Sequence, residues 1–164
     1  MYRVGIIVAS DKGARGQRAD ESGVLIRKIM EEYQYEVVET SVLPDEKGVL
    51  AQEMMRMSDA LRLDLILTTG GTGFSPRDVT PEATAGICDR MAPGIAEAMR
   101  AHSMAITPRA MLSRATAGIR GRTLIVNLPG SPKAVRENLD CILDSLPHGL
   151  DVLRGDASEC ARAD

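Results

Sequence analysis

The sequence predicts an α/β protein, a three-layer sandwich in which a mainly parallel sheet carries helices on both faces. Three observations lead to it. Short, nearly continuous apolar runs at Arg3 to Val8, Leu63 to Leu67 and Thr123 to Leu128 have the character of strands covered on both sides. Amphipathic segments with helical spacing separate them, which implies right-handed crossovers between parallel strands. Each of these runs ends in a polar loop containing Gly, Ser or Asp.

Arg3 to Val8 reads as a central strand ending in Ala9-Ser10-Asp11, and Lys12 to Ala19, with Gly13 and Gly16, as the loop after it. Val24, Leu25, Ile29 and Met30 place a helix over Glu21 to Tyr33, with Asp20 or Ser22 as its cap. Glu36 to Leu43 is β-branched and alternating, a strand that stops at Pro44. Val49, Leu50, Met54, Met57 and Leu61 predict a helix over Lys47 to Leu61, its methionines filling core.

The strand at Leu63 feeds the longest polar connection, Thr68 to Thr84, which runs into a helix with Thr80 as N-cap and Pro81 at its first position. Pro81 to Arg90 and Gly94 to Ile106 then read as helices broken at Met91-Ala92-Pro93, since the residue before proline resists the α region. Arg109 to Gly121 carries no clear period, with a helical turn near Ala110 to Ser113 and a short strand near Ala117 to Ile119 as its best assignments. After the strand Thr123 to Leu128, Ser131 caps a helix with Pro132 at its first position and Val135, Leu139, Ile142, Leu143 and Leu146 as its stripe. Pro147 to Leu153 adds a final turn or short helix. Residues 1–154 form the expected single domain, and 155–164 a flexible tail.

Composition narrows the function. With 44% hydrophobic residues, no Trp and one Phe among 164 residues, the core must be aliphatic, leaving little for stacking on bases. A net charge of −3 and a pI near 5.5 argue against a nucleic-acid or anionic-membrane surface. Cys88, Cys141 and Cys160 are odd in number and lack Cys-x-x-Cys spacing, which suits buried thiols rather than disulfides or zinc. No apolar run approaches a membrane span, and Tyr2 to Ala9 is too short and weakly charged at its front for a signal peptide, so a cytoplasmic protein is expected.

In open α/β sheets, ligands bind outside the carboxyl ends of the strands. That rule collects Ser10-Asp11, Asp45, Thr69 to Asp78 and Gly130-Ser131 on one rim. Gly70, Gly71 and Gly73 let backbone amides approach a ligand closely, and Gly130-Ser131 repeats the arrangement at another helix start, a pattern suited to phosphate. Thr69 and Thr72 flank the glycines; Arg77 can hold a phosphate and Asp78, with Asp45, a metal ion. A turn alone needs roughly 2 to 6 residues, so this longer segment has further work to do. Carboxylates beside phosphate cradles suggest Mg²⁺-assisted phosphoryl or nucleotidyl transfer. No P-loop, dinucleotide fingerprint or nucleophile elbow is present. His102 and His148 stand away from the rim loops and read as structural or surface residues.

On these residues the sequence resembles the MogA/MoaB proteins of molybdenum cofactor biosynthesis and the related G domain of gephyrin. The likeness covers nearly the whole chain. Ser10-Asp11 with Gly16, Asp20, Ser22 and Gly23 resembles the family's first loop, Pro44-Asp45-Glu46 its second, Thr68 to Thr84 its hallmark and Asn127 to Lys133 its last. The resemblance implies the molybdopterin-binding fold and a molybdopterin adenylyltransferase, which makes adenylylated molybdopterin and pyrophosphate from ATP and molybdopterin with Mg²⁺. It implies that Asp45 and Asp78 are essential. It further implies a homotrimer, or a hexamer, and contacts with other molybdenum cofactor enzymes. Some MoaB-type members offer the alternative of pterin binding without catalysis; the presence of both aspartates favours the enzyme.

Overall fold

The computed structural model describes residues 1–156. Its strands are β1 (Arg3–Ala9), β2 (Glu36–Leu43), β3 (Leu65–Thr69), β4 (Arg90–Met91), β5 (Ala117–Arg120) and β6 (Thr123–Leu128). Its α-helices are α1 (Asp11–Ala14), α2 (Glu21–Glu32), α3 (Lys47–Met55), α4 (Thr80–Ile87), α5 (Pro93–Met104), α6 (Pro132–Ile142) and α7 (Leu146–Arg154). The strands form a sheet in the order β2-β1-β3-β6-β5-β4. The first four in that order are parallel, and β5 and β4 add an antiparallel edge.

Alternation along the strands divides the core into two layers. Val4, Ile6 and Val8 of β1 face one side, where they pack with Ile26, Ile29 and Met30 of α2, Met99 of α5, Val135 and Leu139 of α6 and Leu150 of α7. Ile7, Ile66 and Ile125 face the other, against Leu50 and Met54 of α3 and Ala83 of α4. This is the predicted three-layer sandwich. Burying each large aliphatic side chain contributes about 1.5–3 kcal/mol, and the core contains neither Trp nor Phe.

Several local expectations change. Val24 is 65% exposed, and Ile26 takes its place in the core because Ser22, Ile26, Ile29 and Met30 share the inward face of α2. The Lys12 to Ala19 loop begins with the single turn α1. The predicted helix Lys47 to Leu61 is α3 followed by a π-helical turn, Arg56–Ala60. The third strand starts two residues late: the Leu63 amide closes that turn on the Met57 carbonyl, and the Asp64 side chain accepts from the Arg3 amide. Helix α4 stops at Ile87, and Asp89 and Ala92 donate to Ile119 and Ala117, making β4 from Arg90, expected to end the helix, and Met91, expected to open the break after it. Two residues are too few to carry a period, so β4 had no pattern to show. Pro108–Leu112 forms a 3₁₀ helix. Cys88 and Cys141 are half-buried rather than buried, and burial pushes the Cys88 thiol up to about 11. Cys160 and nearly all of the expected tail lie outside the described residues.

Candidate active site

The carboxyl ends of β1, β2, β3 and β6 meet at a cavity of about 530 Å³, a size suited to a small organic ligand. Ser10, Asp45, Thr69, Gly70, Gly71, Asp78, Gly130 and Ser131 line it. Four sequence-distant loops thus share one wall, as the strand-end rule requires.

The glycine-rich loop is shaped by close approach. Gly70 and Gly71 take φ values of +89° and +69°. A Cβ on Gly70 would collide with the Ala9 carbonyl oxygen, and one on Gly71 with the Thr80 hydroxyl, so both positions require glycine. Thr80, expected as an N-cap, stands inside α4, where Val79 precedes it without a side-chain cap. Its hydroxyl donates instead to the Gly70 carbonyl at 3.0 Å, and its amide to the Gly71 carbonyl at 3.2 Å. Behind it, Asn127 in the buried sheet donates to the hydroxyls of Thr68 and Thr84, at 3.0 and 2.9 Å, and Thr84 donates to the Thr80 carbonyl. A chain of satisfied buried polar groups therefore runs from the sheet to the loop.

The other loops are tied to the same frame. Thr69 donates to the Pro129 carbonyl and Ser22 to the Gly130 carbonyl, both at 2.7 Å, which draws α2, β3 and the β6 loop together. Ser131 and Asp20 cap α6 and α2, accepting from Ala134 and Gly23. Both helix N-termini open on the cavity, and the Lys133 amide, in the first turn of α6, has no intrahelical acceptor.

The carboxylates have separate environments. Asp11 is held by the Arg77 guanidinium, through Nε and Nη2 at 3.0 Å each, and by the Asp45 amide; these pull its carboxyl down to about 2. Asp45 is pushed above the ordinary range, mainly by burial, with the charges of Asp11 and Asp78 adding to it and the Asp11 amide and Arg77 opposing. Asp78 belongs to its own tight turn: its Oδ2 accepts from the Ser75 amide at 3.0 Å, and its amide donates to the Ser75 carbonyl at 2.9 Å.

Four predicted residues stand elsewhere. Asp11 and Arg77 line a neighbouring hollow with Pro44 and Glu46, and Arg77 is engaged with Asp11 rather than open to a phosphate. Thr72 is buried, and the carbonyls of Thr72 and Gly73 accept from Arg114. Two residues escaped the sequence reading. Arg18 is the one cationic side chain among the cavity's described lining residues, which include the carboxylates Asp20, Glu21, Asp45 and Asp78. Arg114 clasps the loop from a stretch whose sequence shows no period, so no local pattern could reveal it.

The wall is thus rich in carboxylate and poor in cation, the reverse of the local positive potential an anionic ligand would seek from side chains alone. A half-buried Asp45, raised in part by the charge of Asp78, fits a divalent cation. Mg²⁺ binds through one or two carboxylates and leaves its other positions to water and phosphate oxygens. Among the described residues no cluster of three or more His, Cys, Asp or Glu side chains forms a protein-only metal cage.

Residues 5–148 match the family described as a probable molybdopterin binding domain. The chain is 40% identical over 154 residues to the molybdopterin adenylyltransferase of Helicobacter pylori J99, covering 93% of this chain and 88% of that protein. It is 44% identical over 160 residues to gephyrin of Dictyostelium discoideum, covering 92% of this chain and 22% of that protein. The crystal structure of the molybdopterin biosynthesis enzyme MoaB from Thermus thermophilus superposes with a TM-score of 0.90 at 50% identity, over 94% of this chain and 98% of that one.

Proposed function

Since this chain belongs to the family of molybdopterin-binding domains, we propose that it is a molybdopterin adenylyltransferase, transferring AMP from ATP to molybdopterin with release of pyrophosphate. The observation that carries this reading is the pairing of a half-buried Asp45 with Asp78 on the wall of a cavity flanked by two helix N-termini.

In this reaction an oxygen of the pterin phosphate forms a bond to the α-phosphorus of ATP as the bond from that phosphorus to the β-phosphate oxygen breaks. A phosphate monoester is already largely ionised at pH 7, so no general base is needed to create the nucleophile. What the reaction demands is alignment of two anions and neutralisation of their charge. The N-termini of α2 and α6, capped by Asp20 and Ser131, and the glycine loop supply oriented amide dipoles, and the exposed Arg18 on the cavity wall supplies one positive charge. Asp45 and Asp78 would hold Mg²⁺, which when bound offsets charge on the phosphate and leaving oxygens. Asp11 and Arg77 keep the Asp45 loop in place from behind.

Incubation with molybdopterin, ATP and Mg²⁺ should yield adenylylated molybdopterin and pyrophosphate, and Asp45→Ala and Asp78→Ala should each slow both by at least about 100-fold while leaving a measurable residue. Tight pterin binding with no ATP consumed would instead make the chain a non-catalytic carrier.

We read the chain further as a cytoplasmic homo-oligomer, a trimer or hexamer, that exchanges pterin with other molybdenum cofactor enzymes. Met104, Ile106, Met111 and Leu112, exposed at the end of α5, in the link after it and on the 3₁₀ helix, support an association face. No helix among the described residues is long and apolar enough to cross a membrane. Light scattering on the purified protein reads the oligomer number directly.

A further inference from the structure

We propose that Arg114 is a positioning residue for the adenylyl transfer, fixing where the Asp78 carboxylate stands; this rests on the function given above. Arg114 lies 36 residues beyond Asp78, just after the 3₁₀ helix. Its amide donates to the Thr72 carbonyl, its Nε to the Gly73 carbonyl and its Nη2 to the Asp78 carbonyl, each at 2.8 Å, while Nη1 pairs with Glu82 of α4.

These acceptors bracket one excursion of the chain. Phe74, Ser75, Pro76 and Arg77 at its tip are exposed. The Asp78 carboxylate is held by the tip's own turn, through the Ser75 amide. Arg77 ties the tip to Asp11 on one side, and the Arg114 guanidinium joins the two sides of the base, so the turn that carries the Asp78 carboxylate is set from both ends. A planar guanidinium reaches diverging acceptors at once, whereas an ammonium on a flexible stem serves as a single point charge. The Glu82 end is a partly exposed ion pair, with side chains 34% and 45% exposed, and contributes little by itself. The carbonyl contacts therefore carry the effect. Displacing a reacting group by about 1 Å can cost on the order of 100-fold in rate.

The test measures kcat and KM for both substrates in Arg114→Ala, Arg114→Lys, Glu82→Gln and Asp78→Ala, with folding followed by circular dichroism. Arg114→Ala should lower kcat about 100-fold while each KM stays within about threefold. Arg114→Lys should recover only part of that loss, and Glu82→Gln should stay near wild type. The double variant Arg114→Ala/Asp78→Ala should be no slower than Asp78→Ala, because both changes act through one carboxylate. An Arg114→Ala protein that keeps its kcat, or loses KM instead, overturns the role, as does an additive loss in the double variant. Should Arg114→Ala fail to fold, Arg114→Lys carries the same comparison. A wild-type protein that makes no product overturns the functional reading and this role with it; an active wild type indifferent to Arg114 overturns this role alone.

Discussion

Asp11 and Asp45 each accept a hydrogen bond from the other's backbone amide, at 2.9 and 3.0 Å. This reciprocal clasp joins the loops after β1 and β2, and Arg77 locks it from the Asp11 side. One aspartate is thereby consumed in structure. The other keeps a carboxylate on the cavity wall, so two residues of one type acquire different work from their surroundings.

The clasp makes stability depend on pH. Arg77 holds the Asp11 carboxyl down to about 2 from its ordinary 3.8. A depressed carboxylate contributes stability that is fully present above its unfolded value and lost as pH falls through the folded one. Thermal melts of wild type and Arg77→Ala should differ by a constant amount above about pH 5, converge as pH falls below about 4 and coincide only at about pH 1, below the folded value. A difference that persists at the acid end would assign the effect of Arg77 to packing.

Asp45 has the opposite sign. Burial raises its carboxyl, so the folded state binds that proton more tightly than the unfolded chain, and the cost to stability sets in as pH rises past the unfolded value and is complete above the folded one. Asp45→Asn should keep the bond from the Asp11 amide and remove the charge. At neutral pH its Tm should rise by no more than about 2–4 °C, since solvent screens part of the effect. Adenylyl transfer should fall at least about 100-fold, a trade of activity for stability that calorimetry beside the activity assay detects.

Gly70→Ala should fail on two counts, a left-handed backbone and a collision with the Ala9 carbonyl. The expected loss is about 1–3 kcal/mol in urea denaturation, accompanied by loss of turnover as the loop shifts. Gly48, with open space around its Cβ position and ordinary φ, is the control; Gly48→Ala should be neutral or slightly stabilising.

Thr80→Val keeps the shape and removes the donor to the Gly70 carbonyl. Stability should drop by roughly 1–2 kcal/mol, and KM should rise more than kcat falls, because losing one hydrogen bond loosens the loop without the backbone displacement that an alanine at Gly70 forces. An unchanged KM would show that the Gly71 contact alone sets the loop.

Arg18→Ala tests the single cation among the described lining residues. KM for an anionic substrate should rise several-fold with kcat within about threefold, and the salt dependence of KM should weaken, as expected for an exposed charge that steers rather than reacts.

The strands and most helices were legible because burial imposes a period on any stretch long enough to show one. Glu36–Leu43 and Thr123–Leu128 stand as expected, and Ser131 with Pro132 opens α6 as their residue types require. The rim followed from the same reading, since parallel strands bring their carboxyl ends to one side. Eight of the named rim residues line one cavity. What the chain could not declare locally was partnership. Arg77 looks like a phosphate ligand until Asp11 is placed 66 residues away in sequence and 3.0 Å away in space. Thr80 looks like a cap until the Gly70 carbonyl is found above it. Arg114 has no pattern at all. By itself the sequence determined the α/β architecture and which residue types crowd its rim, because hydrophobic period and glycine act over a few neighbouring positions. Only the tertiary structure decided which carboxylate is neutralised, which arginine is engaged and which hydroxyl ties the loop, because hydrogen bonds and Coulomb forces act through space, indifferent to distance along the chain.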